Sequence, residues 1–272
     1  MPGSSQVTLS FPEFRGATRR LVLWNLGAFF LLLIFGLAFP ARQEELIHTL
    51  SFVPSSFLHG SIWQPFTYSL VHLEIVSTLL SLLGIWFLAG FLEMYRRSGW
   101  ITGLYVVSVL GNAVTATAIF VAAHFIRFSV PSIELVGCGS ALFGLMVAIG
   151  ILYGDVQFML FPLPIHIKAR YLAIIYVLIN LAMLFGDSWA SALTQLGAGF
   201  AAFLFIRIAA RPGASILFSE TLYGVRNRYY RWKRHRAARK FEVYMRSQGR
   251  TVRFDGQGRP IDEEHDDKKR WN

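Results

Sequence analysis

The chain has 272 residues, 54% of them apolar and 15% aromatic but only 15% charged, with a mean hydropathy of +0.46. Soluble domains carry roughly 25% charge, so the composition points to a membrane protein, while 24 Phe and 7 Trp exclude a disordered chain and a single Cys excludes a secreted disulfide scaffold. The net charge of +10 is concentrated: residues 212–272 hold 15 Lys/Arg against 8 Asp/Glu, a basic tail behind a nearly neutral apolar body.

Charge-free apolar runs predict six spans, Leu21–Phe39, Ile75–Leu92, Trp100–Ala123, Ser140–Gly154, Tyr171–Gly186 and Ser188–Ile206. Most approach the roughly 20 residues that cross about 30 Å of hydrocarbon. The fourth is shorter and follows the irregular stretch Leu135-Val136-Gly137-Cys138-Gly139. Such backbone is tolerated in a bilayer only where protein or a water-filled cavity shields it, so the fourth span is expected at the centre of the bundle, its amino end in a polar cavity. The first span, longer than a signal core and closed by Pro40, is expected to be retained. Arg15, Arg19, Arg20, Arg96, Arg97, Lys168 and Arg170 fall on one side, Arg42 and Arg127 on the other. That asymmetry predicts both termini in the cytoplasm. The loop from Ala41 to about Glu74 is rich in apolar residues and uncharged between Glu45 and Glu74. It is expected in the outer interface, with Trp63 and Tyr68 at headgroup level, or as a packed loop between helices.

Three segments together resemble the rhomboid intramembrane serine proteases. Trp63-Gln64-Pro65-Phe66-Thr67-Tyr68-Ser69-Leu70-Val71-His72 looks like that family's Trp-Arg-x-x-Thr-x-x-x-x-His entry, and Gly90-Phe91-Leu92-Glu93 matches its Gly-x-x-Glu exit. Gly137-Cys138-Gly139-Ser140-Ala141-Leu142-Phe143-Gly144-Leu145 resembles its Gly-x-Ser-Gly-Ala-x-Phe-Gly-Leu signature. Gln195-Leu196-Gly197-Ala198-Gly199-Phe200-Ala201-Ala202 stands where it has His-x-x-Gly-x-x-x-Gly. The resemblance implies an all-α, polytopic bundle of six transmembrane helices. It also implies a Ser nucleophile on the fourth span, a His base on the sixth, and a His and an Asn on the second that bind the oxyanion. Laid on this chain, those positions are Gly139, Gln195, Ser77 and Ser81; all four depart from the pattern.

Losing the nucleophile or base of a serine hydrolase costs on the order of 10⁶ in turnover, so the resemblance implies a proteolytically inactive member that engages transmembrane client proteins. The alternative is an active serine endopeptidase whose nucleophile has shifted to Ser140. One helical step turns a side chain by about 100°, so Ser140 would point away from the cavity unless the backbone rewinds. No His lies in the fifth or sixth span to serve as base. Ser77, Ser81, Ser140 and Gln195 are expected to hydrogen-bond one another and a water, or merely to join helices. Ala198 and Ala202 form a small-residue face that permits close approach of the sixth span to the fourth.

His72 resembles the family's structural loop His, and Glu93 is expected to close the second span in an ion-pair cluster with Arg96 and Arg97. Cys138, with no His base, is expected to pack inertly. Asp155 and Asp187 mark span ends. No Gly-rich phosphate loop, Cys-x-x-Cys or His-Glu-x-x-His is present, so no cofactor or metal is expected, and the absence of repeats disfavours a transporter. The organisation is a cytoplasmic segment over 1–20, a membrane domain over 21–211 and a basic tail over 212–272. In the tail, Tyr229-Tyr230-Arg231-Trp232-Lys233-Arg234-His235-Arg236 interleaves aromatics with cations. It is read as an interfacial helix on anionic lipid headgroups, with nucleic acid the less favoured partner, and is followed from Thr251 by a solvated, disordered end. The expected location is integral to the cell (inner) membrane.

Overall fold

A computed structural model describes residues 12–126, 132–160 and 165–209, together with Trp232, Lys233, Arg236, Phe241 and Tyr244. Arg127, the segment before Pro12 and the rest of the tail, including its expected disordered end, lie outside the described residues. The chain divides into two units, Met1–Ile208 and Ala209–Asn272. In the second, Trp232, Lys233, Arg236, Phe241 and Tyr244 are helical, and the Arg236 guanidinium lies 5.4 Å from the Trp232 ring centroid, a cation–π geometry.

In the first unit, α1 (Gly16–Ala38) stops before Pro40, which opens α2 (Pro40–Leu50). Proline suits a first helical position because that N–H has no partner within the helix. Two short helices, α3 (Pro54–Leu58) and α4 (Gln64–Thr67), and a 3₁₀ turn (Tyr68–Leu70) lead into α5 (Ile75–Glu93) and α6 (Ser98–Ile126). Then come α7 (Gly139–Leu152), the strands β1 (Gln157–Leu160) and β2 (Ile165–Lys168), and α8 (Ala169–Met183) and α9 (Trp189–Ala209).

Four of these helices, α1, α5, α6 and α9, are long and apolar enough to cross a membrane; α7 and α8 are apolar but shorter. The 14 residues of α7 reach about 21 Å. It packs against α5, α6 and α8, with Ala141, Phe143, Leu145, Ala148 and Ile149 buried. The outer helices turn apolar residues outward instead, as at Leu31, Ile34 and Leu37 of α1 and Ile174 and Leu178 of α8. That inversion of the soluble pattern is what hydrocarbon contact requires.

The antiparallel hairpin of β1 and β2, which pairs Gln157 with Lys168 and Phe158 with Ile167, departs from an all-helical reading. It follows a short helix, and backbone leaving α7 early must satisfy its polar groups by another ladder. Asp155 at its base pairs with Lys168 at 3.5 Å and also with Arg170.

Glu93 corrects the ion-pair expectation. Its carboxylate accepts hydrogen bonds from the Ala17 N–H at 2.7 Å, the Thr18 N–H at 3.0 Å and the Thr18 hydroxyl at 2.7 Å, and from the Ser98 hydroxyl. Among the described residues it pairs with neither Arg96 nor Arg97. The first amides of α1 have no partner within the helix and attract an anion, so one carboxylate joins the start of α1 to the end of α5 and the start of α6. This cap lets α1 begin at Gly16 rather than Leu21, with Arg19 and Arg20 exposed in its first turn. Gly16 has φ +55°, and a Cβ there would collide with the Glu93 carboxylate. Glu93→Ala is expected to cost about 2 kcal/mol, read as a lowered thermal midpoint in detergent, with Glu93→Gln retaining part of the loss.

Candidate functional site

The amino end of α7 is held by backbone pairing and by one side chain. Phe52 and Leu135 exchange backbone hydrogen bonds at 3.0 and 2.9 Å, zipping the interhelical loop to the segment before α7. The Gly137 N–H donates to the Tyr68 carbonyl at 2.9 Å. Gly137 sits at φ +78°, where a side chain would be strained, and so aims the chain into α7.

Tyr68 is only 1% exposed, which corrects its expected place at headgroup level. Its hydroxyl donates to the Val109 carbonyl of α6 at 2.8 Å, accepts from the Asn112 amide at 3.2 Å, and lies 3.0 Å from Ser140 Oγ. A phenol has one proton; with that proton on the Val109 carbonyl, Ser140 donates to the phenol oxygen. Burial pushes the phenol pKa up to about 12, so Tyr68 stays neutral. It is a poor base for the Ser140 proton.

The positions where the resembled family carries its nucleophile and base face one another. A Cβ built on Gly139 would lie 3.3 Å from Gln195 Nε2 of α9. Gln195 Oε1 is buried with no hydrogen-bond partner. Ser77 and Ser81, with Glu74, Val76, Leu80 and Leu142, line an open cleft of about 400 Å³ along α5, and Ser81 also reaches the Cys138 thiol beside the nucleophile position. Ser77, Ser81, Ser140 and Gln195 therefore do not form the expected hydrogen-bonded set among the described residues, because Tyr68 takes Ser140 and α5 turns Ser77 outward. The small face of α9 serves two neighbours. A Cβ on Gly144 of α7 would come within 3.3 Å of the Ala202 Cβ, and one on Gly111 of α6 within 3.5 Å of the Ala198 Cα.

Cys138 has a histidine beside it, which corrects the expectation of none. His72 Nδ1 lies 3.1 Å from the Leu70 carbonyl, so this nitrogen carries the proton, and Nε2 faces Cys138 Sγ at 3.6 Å. The pair is not an activated dyad. Burial raises the thiol pKa to about 11, partly offset by the Ser81 hydroxyl, and burial holds His72 below its ordinary value despite the Leu70 carbonyl. Both effects favour neutral groups, whereas a nucleophilic thiol needs the thiolate.

Trp63 and Gln64 act on the end of α2. The Trp63 indole N–H donates to the Thr49 carbonyl at 3.1 Å, Gln64 Nε2 to the same carbonyl at 3.4 Å, and the Thr67 hydroxyl to the Leu50 carbonyl at 2.8 Å. Gln64 Oε1 also accepts from the Val53 N–H at 3.2 Å. The last carbonyls of a helix lack partners within it, and these side chains supply them. Gln64 is 2% exposed, so it works inside the loop.

A family model described as Eukaryotic integral membrane protein (DUF1751) matches residues 24–215. The chain belongs to that family. The match runs from within α1 past the end of α9, so every site residue above, from Thr49 to Ala202, falls inside it. No curated protein matches the chain. For an integral membrane protein of this family, exposed apolar faces on α1 and α8 are lipid contacts, and Tyr68, Asn112 and Ser140 satisfy one another where water is scarce. Asn112 is the site residue that the sequence reading passed over, and Tyr68 is the one it assigned to the headgroups instead. The signal was an Asn in the middle of an uncharged apolar run, since a polar group at that depth needs a partner.

Tyr68→Phe removes the acceptor of Asn112 and Ser140 and the donor of the Val109 carbonyl. It is expected to destabilise the fold by about 1–3 kcal/mol, measured by chemical unfolding in detergent. The depressed pKa of His72 has a definite sign. Between its folded value and 6.5 the unfolded chain binds the extra proton, so this contribution to stability is complete above pH 6.5 and is lost as pH falls through the folded value. His72→Gln is expected to flatten the stability profile in that window.

Proposed function

We propose that this protein is a rhomboid-like member of its family that does not cleave peptide bonds and instead engages transmembrane client helices within the bilayer. The observation that carries the reading is the facing of Gly139 and Gln195, whose Nε2 would lie 3.3 Å from a Cβ at Gly139: the two positions that would hold nucleophile and base meet, and neither residue can perform the step. A glycine offers no oxygen, and a carboxamide takes up no proton near neutral pH. The alternative nucleophile, Ser140, donates its hydrogen bond to a neutral phenol that does not take its proton, and His72 is taken up with Leu70 and Cys138.

Client engagement rests on what the helices leave open. The cleft beside α5 is lined by Ser77 and Ser81 with Leu80 and Leu142 and has Glu74 at its end. A client helix carrying a polar residue could exchange hydrogen bonds with these hydroxyls rather than leave its polar group in lipid. The shorter α7 and α8 favour local thinning of the bilayer, which lowers the cost of holding a short or polar client. The Arg15, Arg96 and Lys168 ends of the helices are assigned to the cytoplasmic side on loop charge, as are both termini; the basic tail is assigned to anionic headgroups.

The test places a photo-crosslinking residue at Ser77, or at Ile34 on the lipid face of α1, in full-length protein reconstituted with a single-span reporter. One reporter carries two Asn near its centre and the other is all Leu and Ala. The expected result is at least fivefold more crosslinking of the Asn reporter at Ser77 and no preference at Ile34. Equal capture of both reporters at Ser77 would contradict client engagement.

A further inference from the structure

A second cleft, of about 510 Å³, opens where α1, α5 and α6 end together, and its walls include Arg15, Glu93, Arg96, Arg97, Ser98 and Gly99. Arg96 and Arg97 are exposed and have no ion-pair partner among the described residues; Arg15 pairs with Glu13 at 2.8 Å. Arg96 is braced over the Trp100 ring, 5.4 Å from its centroid. A fourth guanidinium is close by, because Arg20 Nε donates to the carbonyl of Gly16, itself a wall residue, at 3.2 Å. The carboxylate in the wall is outnumbered by these guanidinium groups. Glu93 directs its oxygens to the first amides of α1 and to the Ser98 hydroxyl, and it forms no ion pair with Arg96 or Arg97 among the described residues.

The start of α6 borders the same cleft. Residues Ser98 and Gly99 stand at its start, where backbone N–H groups have no partner within the helix, and Gly99 is exposed with nothing within 4 Å of a Cβ built on it. Three spans end at this level, so the cleft lies at headgroup depth. Around it Phe14, Met94 and Tyr95 are exposed, an apolar rim on which acyl chains can lie. Arginine matches phosphate oxygens in pairs of hydrogen bonds, and basic pockets between transmembrane helices suit anionic headgroups.

We propose that this cleft binds a phosphate group through Arg96, Arg97 and Arg15, with the start of α6 supplying backbone donors. The site shares no lining residue with the client cleft. The same chemistry is offered by an acidic phospholipid headgroup and by free phosphate, and the experiment separates the two.

Full-length protein in a neutral detergent is titrated with fluorescent phosphatidic acid, with phosphatidylcholine, inorganic phosphate and glycerol 3-phosphate as competitors. Binding is expected to weaken at least tenfold in Arg96→Gln with Arg97→Gln. Gly99→Glu should weaken it as much while leaving the thermal midpoint unchanged or higher, because an acid suits the start of a helix and the position has room. Replacing the tail cations Arg226, Arg228, Arg231, Lys233, Arg234 and Arg236 by Gln should change the affinity less than threefold. Competition by inorganic phosphate or glycerol 3-phosphate assigns the site to a free phosphate, and its absence to the lipid; phosphatidylcholine should not compete. Undiminished binding in both cleft variants, or a loss confined to the tail variant, would overturn the proposal.

Discussion

One phenol hydroxyl ties three parts of the chain together. Tyr68, on the interhelical turn, donates to the Val109 carbonyl of α6 and accepts from Asn112 and from Ser140 at the start of α7. Inside a membrane protein each of these groups, left alone, would cost more than the bond gains, so the turn, α6 and α7 are fixed relative to one another by the need to satisfy them together. The start of α7 is then set in angle. Ser140 faces Tyr68, and Gly139, about 100° round the helix, faces Gln195. The chemistry of the site follows from this orientation, because the Ser140 hydroxyl, next to the nucleophile position, is already committed to a group that stays neutral.

The opposite end of the bundle obeys the same constraint with a charge. Glu93 gathers the orphan amides of α1 and the Ser98 hydroxyl, so a carboxylate at the end of one span becomes the cap of another. The device also explains why Arg96 and Arg97 are left without an acidic partner among the described residues. Topology alone would place such cations at a membrane surface; their shared cleft adds a reason for them to be in one place.

The apolar helices were legible because lipid-facing helices must be apolar over their whole length, and charge-free runs mark them to within a few residues. Their ends were less so. Gly16 begins α1 because of Glu93, a residue 77 positions away, and no local signal announces a cap supplied across the fold. The hairpin of β1 and β2 was missed because four-residue strands beside apolar helices leave little periodicity to read. Tyr68 looked like an interfacial aromatic, as an isolated Tyr in an apolar loop does; only its partners on α6 and α7 explain its burial. His72 beside Cys138 joins residues 66 apart, a proximity that follows from the Phe52–Leu135 pairing and from nothing in either local sequence. The facing of Gly139 and Gln195 was different, since the order and spacing of the resembled motifs already put both positions at one level of the bundle.

The most direct measurement is proteolysis of a single-span reporter in liposomes by the parent chain, by Ser140→Ala, and by Gly139→Ser combined with Gln195→His. The account predicts no product from the parent or from Ser140→Ala, and product from the double variant, in which nucleophile and base again face one another. Product from the parent that Ser140→Ala abolishes would contradict it, because Ser140 would then have left Tyr68 to act as the nucleophile.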